Sequence, residues 1–305
     1  MRREGLTTTS QQPKLTEVFT EESSQQITPL PEEPGQPPEL RPGDAVQPAI
    51  EAPWWLAWRD VGLGFGVWFS SVVLLLIVPA VFALPYLVYR IAKLGPPTPE
   101  ALSSDKLLIF FSVVGILPTH MLTFVIVWLA VTYGGRRPFW QNIDFAWPKN
   151  TSPAMMTLLS VLLAILLFGV AWAVTMIYGE HKTDLDILIE SSIYTRFATA
   201  FVAVVTAPLV EELIYRGLLY RALEKAAGMG LAIALVSLLF AGVHVWQYRN
   251  NLAVITVITL LSITLTVTRA VTGKVLPAFI IHLVFNGIQS ILIVLSGFID
   301  KNVFK

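Results

Sequence analysis

Apolar residues run in long unbroken blocks along most of this chain. Val61 to Tyr89, Leu107 to Tyr133, Ala154 to Tyr178, Phe197 to Leu219, Leu231 to Trp246, Leu252 to Thr268 and Val275 to Phe298 are separated by short charged or glycine-bearing turns. Several blocks exceed the roughly 18 apolar residues that mark a transmembrane helix. The pattern predicts an all-α polytopic integral membrane protein with seven strong spans. The stretch Glu180 to Arg196 breaks the pattern: Leu185, Leu188, Ile189 and Ile193 fall near helical spacing among Asp184, Asp186, Glu190 and Ser191. It predicts an amphipathic helix lying on the membrane, a partial eighth element that either links two spans or covers the entrance to a site. Pro79 and Pro85 mark kinks in the first span, and the second contains Pro118.

Residues 1–53 are different in kind. They are rich in Glu, Gln, Ser, Thr and Pro and carry nine acids against four bases. Such a segment cannot bury enough apolar surface to offset the cost of ordering, so it predicts a disordered, partly extended tail. It has no apolar signal-peptide core. The domain division is then 1–53 tail, 54–196 N-terminal spans with the interfacial helix, and 197–298 a C-terminal membrane core.

Composition sharpens this. The chain is 54% hydrophobic and 14% charged, against about 25% charged in average soluble chains. No basic surface points to nucleic acid. The absence of cysteine removes disulfides, thiolate metal ligands and a thiol nucleophile. Lys and Arg are nearly balanced between the two sides, with nine and eight once the tail is set aside. That balance weakly favours a cytoplasmic N-terminus, and the expected location is the plasma (inner) membrane.

Charge inside the apolar blocks changes the picture most. Thr206 to Gly217 places Glu211, Glu212 and Arg216 in the fourth span. An ionisable residue at the bilayer centre costs about 2.5–3.5 kcal/mol on insertion scales, which makes it a functional-site candidate. Glu212 and Arg216 are four apart and predict an ion pair on one helix face. Glu211 lies about 100° round the helix, in line with Tyr215, and is free to face a cavity. Pro208, just upstream, can open space beside it. The fifth span ends in Phe240-Ala-Gly-Val-His244, and the seventh contains His282-Leu-Val-Phe-Asn286. Lipid-facing placement of these groups is costly, so they should converge inside the bundle. His120, beside Pro118, reads as a local hydrogen-bond partner, and His181 as part of a solvated loop.

This set fits hydrolysis. A carboxylate in an apolar site has its pKa raised toward neutrality and can act as general base on water. One histidine can orient that water, and a histidine with an amide can stabilise an oxyanion. Alternatively Glu211, His244 and His282 could hold a divalent metal such as zinc, in the manner of His₂Glu sites. The residues leave both routes open.

The ordered motifs Glu211-Glu212-x-x-x-Arg216, Phe240-x-x-x-His244 and His282-x-x-x-Asn286 resemble those of the CPBP family. These are CAAX prenyl endopeptidases of the Ras-converting type and bacteriocin-processing or immunity membrane proteins, also called Abi proteins. The likeness covers Phe197 to Ser296. It implies an intramembrane endopeptidase acting on membrane-associated proteins or peptides. Glu211 would be general base or metal ligand, His244 would position the water or metal, and His282 and Asn286 would form the oxyanion site. Glu212 and Arg216 would be the structural pair. A non-catalytic membrane interaction or immunity protein is the alternative. A proton-coupled transporter fits less well, because the polar groups are confined to the second half instead of repeating between two halves.

Overall fold

The computed structural model describes residues 54–179 and 183–303. The tail expected over 1–53 and the loop residue His181 lie outside the described residues. All secondary structure described is helical. In chain order it comprises α1 (Trp54–Leu94), α2 (Pro99–Ser103), α3 (Lys106–Val114), α4 (Ile116–Thr132), α5 (Phe139–Asn142), α6 (Pro153–Tyr178), α7 (Asp184–Ser191) and α8 (Ile193–Phe201). A π turn, Val202–Thr206, leads into α9 (Ala207–Glu212). A second π turn, Leu213–Leu219, leads into α10 (Tyr220–Ala227). The chain continues as α11 (Met229–Tyr248), α12 (Leu252–Thr272) and α13 (Val275–Val303).

Six helical stretches among the described residues are long and apolar enough to cross a membrane, and Met229–Val245 is a shorter apolar helix. The protein is a multi-pass integral membrane protein. The expected fifth span is this shorter helix. The fourth is longer than its apolar block, running without interruption from Ile193 to Ala227. The expected single amphipathic helix is two helices. Ser192 adopts an extended backbone between α7 and α8, and its side chain caps α8 by accepting from the Thr195 N–H. Ile193, expected on the interfacial helix, therefore begins the span.

Proline and glycine placement explains the first half. Pro79 and Pro85 both lie inside the continuous α1. Pro118 falls in the first turn of α4, where a missing N–H costs little. Gly115 separates α3 from α4. A Cβ there would meet the Pro79 Cα at 2.7 Å, so glycine permits α4 to lie against α1.

Two apolar cores result. One joins α1, α4, α5, the α9–α10 region and α11 around Val127, Ile143, Leu213, Leu219 and Val236. The other joins α6, α12 and α13 around Ala164, Leu265, Ile281 and Phe285. The most apolar window of α1 is 11% buried, against 33% in Ile193–Ala227. The first helix therefore leaves most of its residues on the outside of the bundle, while the glutamate-bearing helix packs more of its residues inside.

Candidate active site

The glutamate helix is irregular where chemistry is expected. Pro208 has no N–H to donate, and the turn before it is a π turn in which the Ala207 N–H reaches back to Val202 O. After Glu212 the second π turn ends with the Tyr220 N–H on Tyr215 O. Each π turn fits an extra residue into the helix, a feature that recurs at functional sites. The adjacent carboxylates are sharply divided. The Glu212 side chain is 0% exposed and that of Glu211 is 26% exposed.

Glu212 anchors a closed polar cluster. Its Oε1 accepts from Arg216 Nη1 at 3.0 Å and meets His282 Nδ1 at 2.9 Å. Arg216 Nη2 donates to Ser262 O at 3.0 Å, Ser262 Oγ at 3.1 Å and Thr266 Oγ1 at 3.3 Å. Its guanidinium also lies 4.8 Å from the Phe240 ring centroid. The cluster thus ties the glutamate helix to α11, α12 and α13. Glu212, the carboxylate partner of Arg216, can only accept from His282, which fixes a proton on Nδ1 and aims Nε2 elsewhere.

Nε2 of His282 faces Glu211, whose Oε2 is 3.6 Å away. Both residues line a cavity of about 860 Å³ with His244, Asn286 and His120. That volume is within the range of about 300–1,000 Å³ usual for small-ligand sites. His244 Nδ1 lies 2.8 Å from Phe240 O. A carbonyl only accepts, so Nδ1 carries a proton here too. The Phe240 ring sits between the two histidines, 4.9 Å from His244 and 5.9 Å from His282. Asn286 donates one amide hydrogen to Ala203 O, in the first π turn, at 2.9 Å, and keeps a second. Thr183, Leu185, Asp186 and Glu190, around and on α7, also line the cavity, so this short amphipathic helix borders the site.

The four residues expected to be catalytic, Glu211, His244, His282 and Asn286, therefore share one cavity, and Glu212 and Arg216 pair behind it. The expected metal set does not assemble. Among the described residues no group of three or more His, Asp or Glu side chains could hold a metal ion. With His282 and His244 each bonded through Nδ1 to Glu212 and Phe240 O, their rings are held by protein partners.

Residues 193–288 match the family model described as type II CAAX prenyl endopeptidase Rce1-like. This segment is similar to that family. No curated protein and no solved structure matches the chain. The matched segment holds all six residues singled out in sequence. His120 is the cavity residue that sequence reasoning missed. It was expected to bond locally, yet its Nδ1 meets Thr206 Oγ1, 86 positions away, at 2.8 Å. The available signal was an ionisable ring inside an apolar span, the same signal that singled out Glu211.

Proposed function

We propose that the protein is an intramembrane endopeptidase that hydrolyses CAAX-type or other membrane-associated peptides by a Glu211-activated water. Glu211 takes a proton from water as the water oxygen adds to the scissile carbonyl. His244 orients that water through Nε2. His282, which donates through Nδ1 to Glu212, offers Nε2–H to the oxyanion as the imidazolium, faced by two carboxylates. The remaining amide hydrogen of Asn286 is the second donor. Such donors act most strongly where water is scarce. Glu212 and Arg216 fix the His282 ring and the helix.

The observation that carries this reading is the partition of the two glutamates. Glu212 is enclosed and doubly engaged, by Arg216 and His282, while Glu211 opens onto the cavity with His244, His282 and Asn286. The test is cleavage of lipidated and unlipidated peptides by purified wild type and Glu211→Gln, with and without chelator. Cleavage by wild type should fall at least about 100-fold in the variant. Equal turnover by both proteins overturns the reading, and sensitivity to chelator would replace the metal-free route.

The orientation proposed is N-terminus cytoplasmic in the plasma membrane. Following the helices across the bilayer puts Arg59, Arg136, Arg137, Lys149, Arg221, Lys225, Arg269 and Lys274 at the end where α1 begins. The opposite ends carry nearly as many Lys and Arg, so the positive-inside rule gives this assignment only a narrow margin. The chain has no cysteine, so single cysteines introduced into either set of loops report their side by labelling with an impermeant maleimide.

A further inference from the structure

We propose that His120 is the general acid that protonates the leaving amine, an inference that rests on the peptidase reading above. His120 belongs to α4, outside the Rce1-like segment 193–288. It lines the same cavity as Glu211, His244 and His282. The roles assigned so far cover the water and the oxyanion. Amide hydrolysis has one more demand: the departing nitrogen must gain a proton, or the tetrahedral intermediate returns to substrate. Of the three histidines lining the cavity, His120 is the one left without a task, while Asp186 and Glu190 belong to the bordering helix α7.

Its bonding suits that task. The Nδ1 partner is a hydroxyl, that of Thr206, and Nε2 has no protein partner among the described residues. Phe240 O and Glu212 Oε1 can only accept, so they hold His244 and His282 with a proton on Nδ1. A hydroxyl both donates and accepts, so Thr206 does not tie His120 to one protonation pattern. The Thr206 hydroxyl also lies 3.3 Å from Val202 O, which lets it turn its proton there and accept from Nδ1–H. The elements packed on α4 are α1, α3, α5, α9 and both π turns. Among the described residues Glu211, on α9, is the charged group from these that acts on His120.

The step balances as follows. Water adds its oxygen to the carbonyl carbon and gives a proton to Glu211. The C–N bond then breaks and its electron pair goes to nitrogen. Nitrogen takes the Nε2 proton of the His120 imidazolium, leaving a neutral ring with Nδ1–H on Thr206. The products are a carboxylic acid and an amine. The proton held by Glu211 passes through cavity water to His120 Nε2, which restores both groups.

A leaving group that departs as a stable anion needs no such proton. The test therefore compares one peptide from the cleaved panel with the same acyl peptide carried on 4-nitrophenol. Wild type, His120→Gln, Thr206→Val and Glu211→Gln are measured across pH, with a thermal melt of each to show that it is folded. His120→Gln should lower amide kcat by about 10²–10⁴-fold. It should lower ester kcat by less than about threefold, leave KM unchanged and lose the alkaline limb of the amide kcat/KM profile. Thr206→Val, which keeps the side-chain shape, should show the same amide-selective loss at about tenfold. Equal losses on amide and ester, or no loss on either, would overturn the role of His120 while leaving Glu211 in place. If Glu211→Gln cleaves both substrates as well as wild type, the peptidase reading itself fails and this inference fails with it.

Discussion

Two charged clusters lie on either side of Gly217, and they are built on different principles. The inner one, Glu212 with Arg216, His282, Ser262 and Thr266, is sealed, with both ionic side chains 0% exposed. The outer one gathers on Asp144, in the loop between α5 and α6. Lys274 Nζ lies 2.9 Å from Asp144 Oδ1, and Arg269 Nη2 and Arg221 Nη1 lie 3.2 and 3.6 Å from Oδ2. That carboxylate is 26% exposed. Arg269 joins the two clusters, since its Nε donates to Arg216 O at 3.1 Å. The difference is one of solvent. An unpaired charge in the inner cluster has no water to turn to, whereas one in the outer cluster does. The inner cluster can therefore hold a catalytic ring rigidly, and the outer one serves to fasten a loop.

The strongest way to break this comparison is to exchange the two glutamates' fates. Glu211→Gln should abolish cleavage, by about 10²–10⁴-fold, with the thermal midpoint in detergent nearly unchanged. Arg216→Leu should instead cost about 3–5 kcal/mol of stability, because it leaves Glu212 buried without its cation. Chemical unfolding in mixed micelles reads the second, and peptide turnover reads the first. If Glu211→Gln unfolds the protein as readily as Arg216→Leu does, the two carboxylates are not divided as described.

Much of the inner cluster was legible in sequence, and the reason is cost. Charges in apolar blocks are expensive, so Glu211, Glu212, Arg216, His244, His282 and Asn286 stood out one by one, and i,i+4 spacing paired Glu212 with Arg216. What spacing could not reveal was contact between helices. Regular periodicity carries no sign of a π turn, so the separation of Glu211 from Glu212 was readable only as a wheel angle. Ser262 and Thr266 are uncharged and common in spans, so they carry no such signal, although Arg216 claims both. His120 had a single polar neighbour to seek, but that neighbour was in another span. The outer cluster was illegible for the opposite reason: Asp144 and Lys274 lie in turns and Arg221 in the short helix α10 beyond the apolar block, where charge is cheap and signals nothing by itself.

Gly217 tests the joint between the clusters. A Cβ there would stand 2.3 Å from Ile143 Cγ1 and 2.7 Å from Ile143 Cδ1, and Ile143 is 0% exposed. Gly217→Ala should therefore cost about 1–3 kcal/mol by overpacking. Adding Ile143→Val, which removes the Cδ1 methyl, should return part of that loss in the same unfolding measurement. If Gly217→Ala is as stable as wild type, the loop is not seated on the glutamate helix.

Asp144→Asn should have the smallest effect, and its sign is fixed by pH. Burial pushes the Asp144 carboxyl up, but the hydrogen bond from Lys274 and the charges of Arg269, Lys274 and Arg221 outweigh it and hold it below the usual carboxylate range. A carboxylate depressed on folding stabilises the folded state above its unfolded pKa, about 3.9 for Asp. That contribution fades as pH falls from there through the folded value. The variant should thus be less stable than wild type by about 1–2 kcal/mol at neutral pH, the scale of a charge-assisted hydrogen bond discounted for partial exposure. The gap should narrow steadily below about pH 4. High salt should narrow it too, because this cluster reaches water, while leaving the penalty of Arg216→Leu unchanged. Should salt relieve both variants equally, the sealed character assigned to the inner cluster would be lost, and with it the reason for two kinds of ion pair in one bundle.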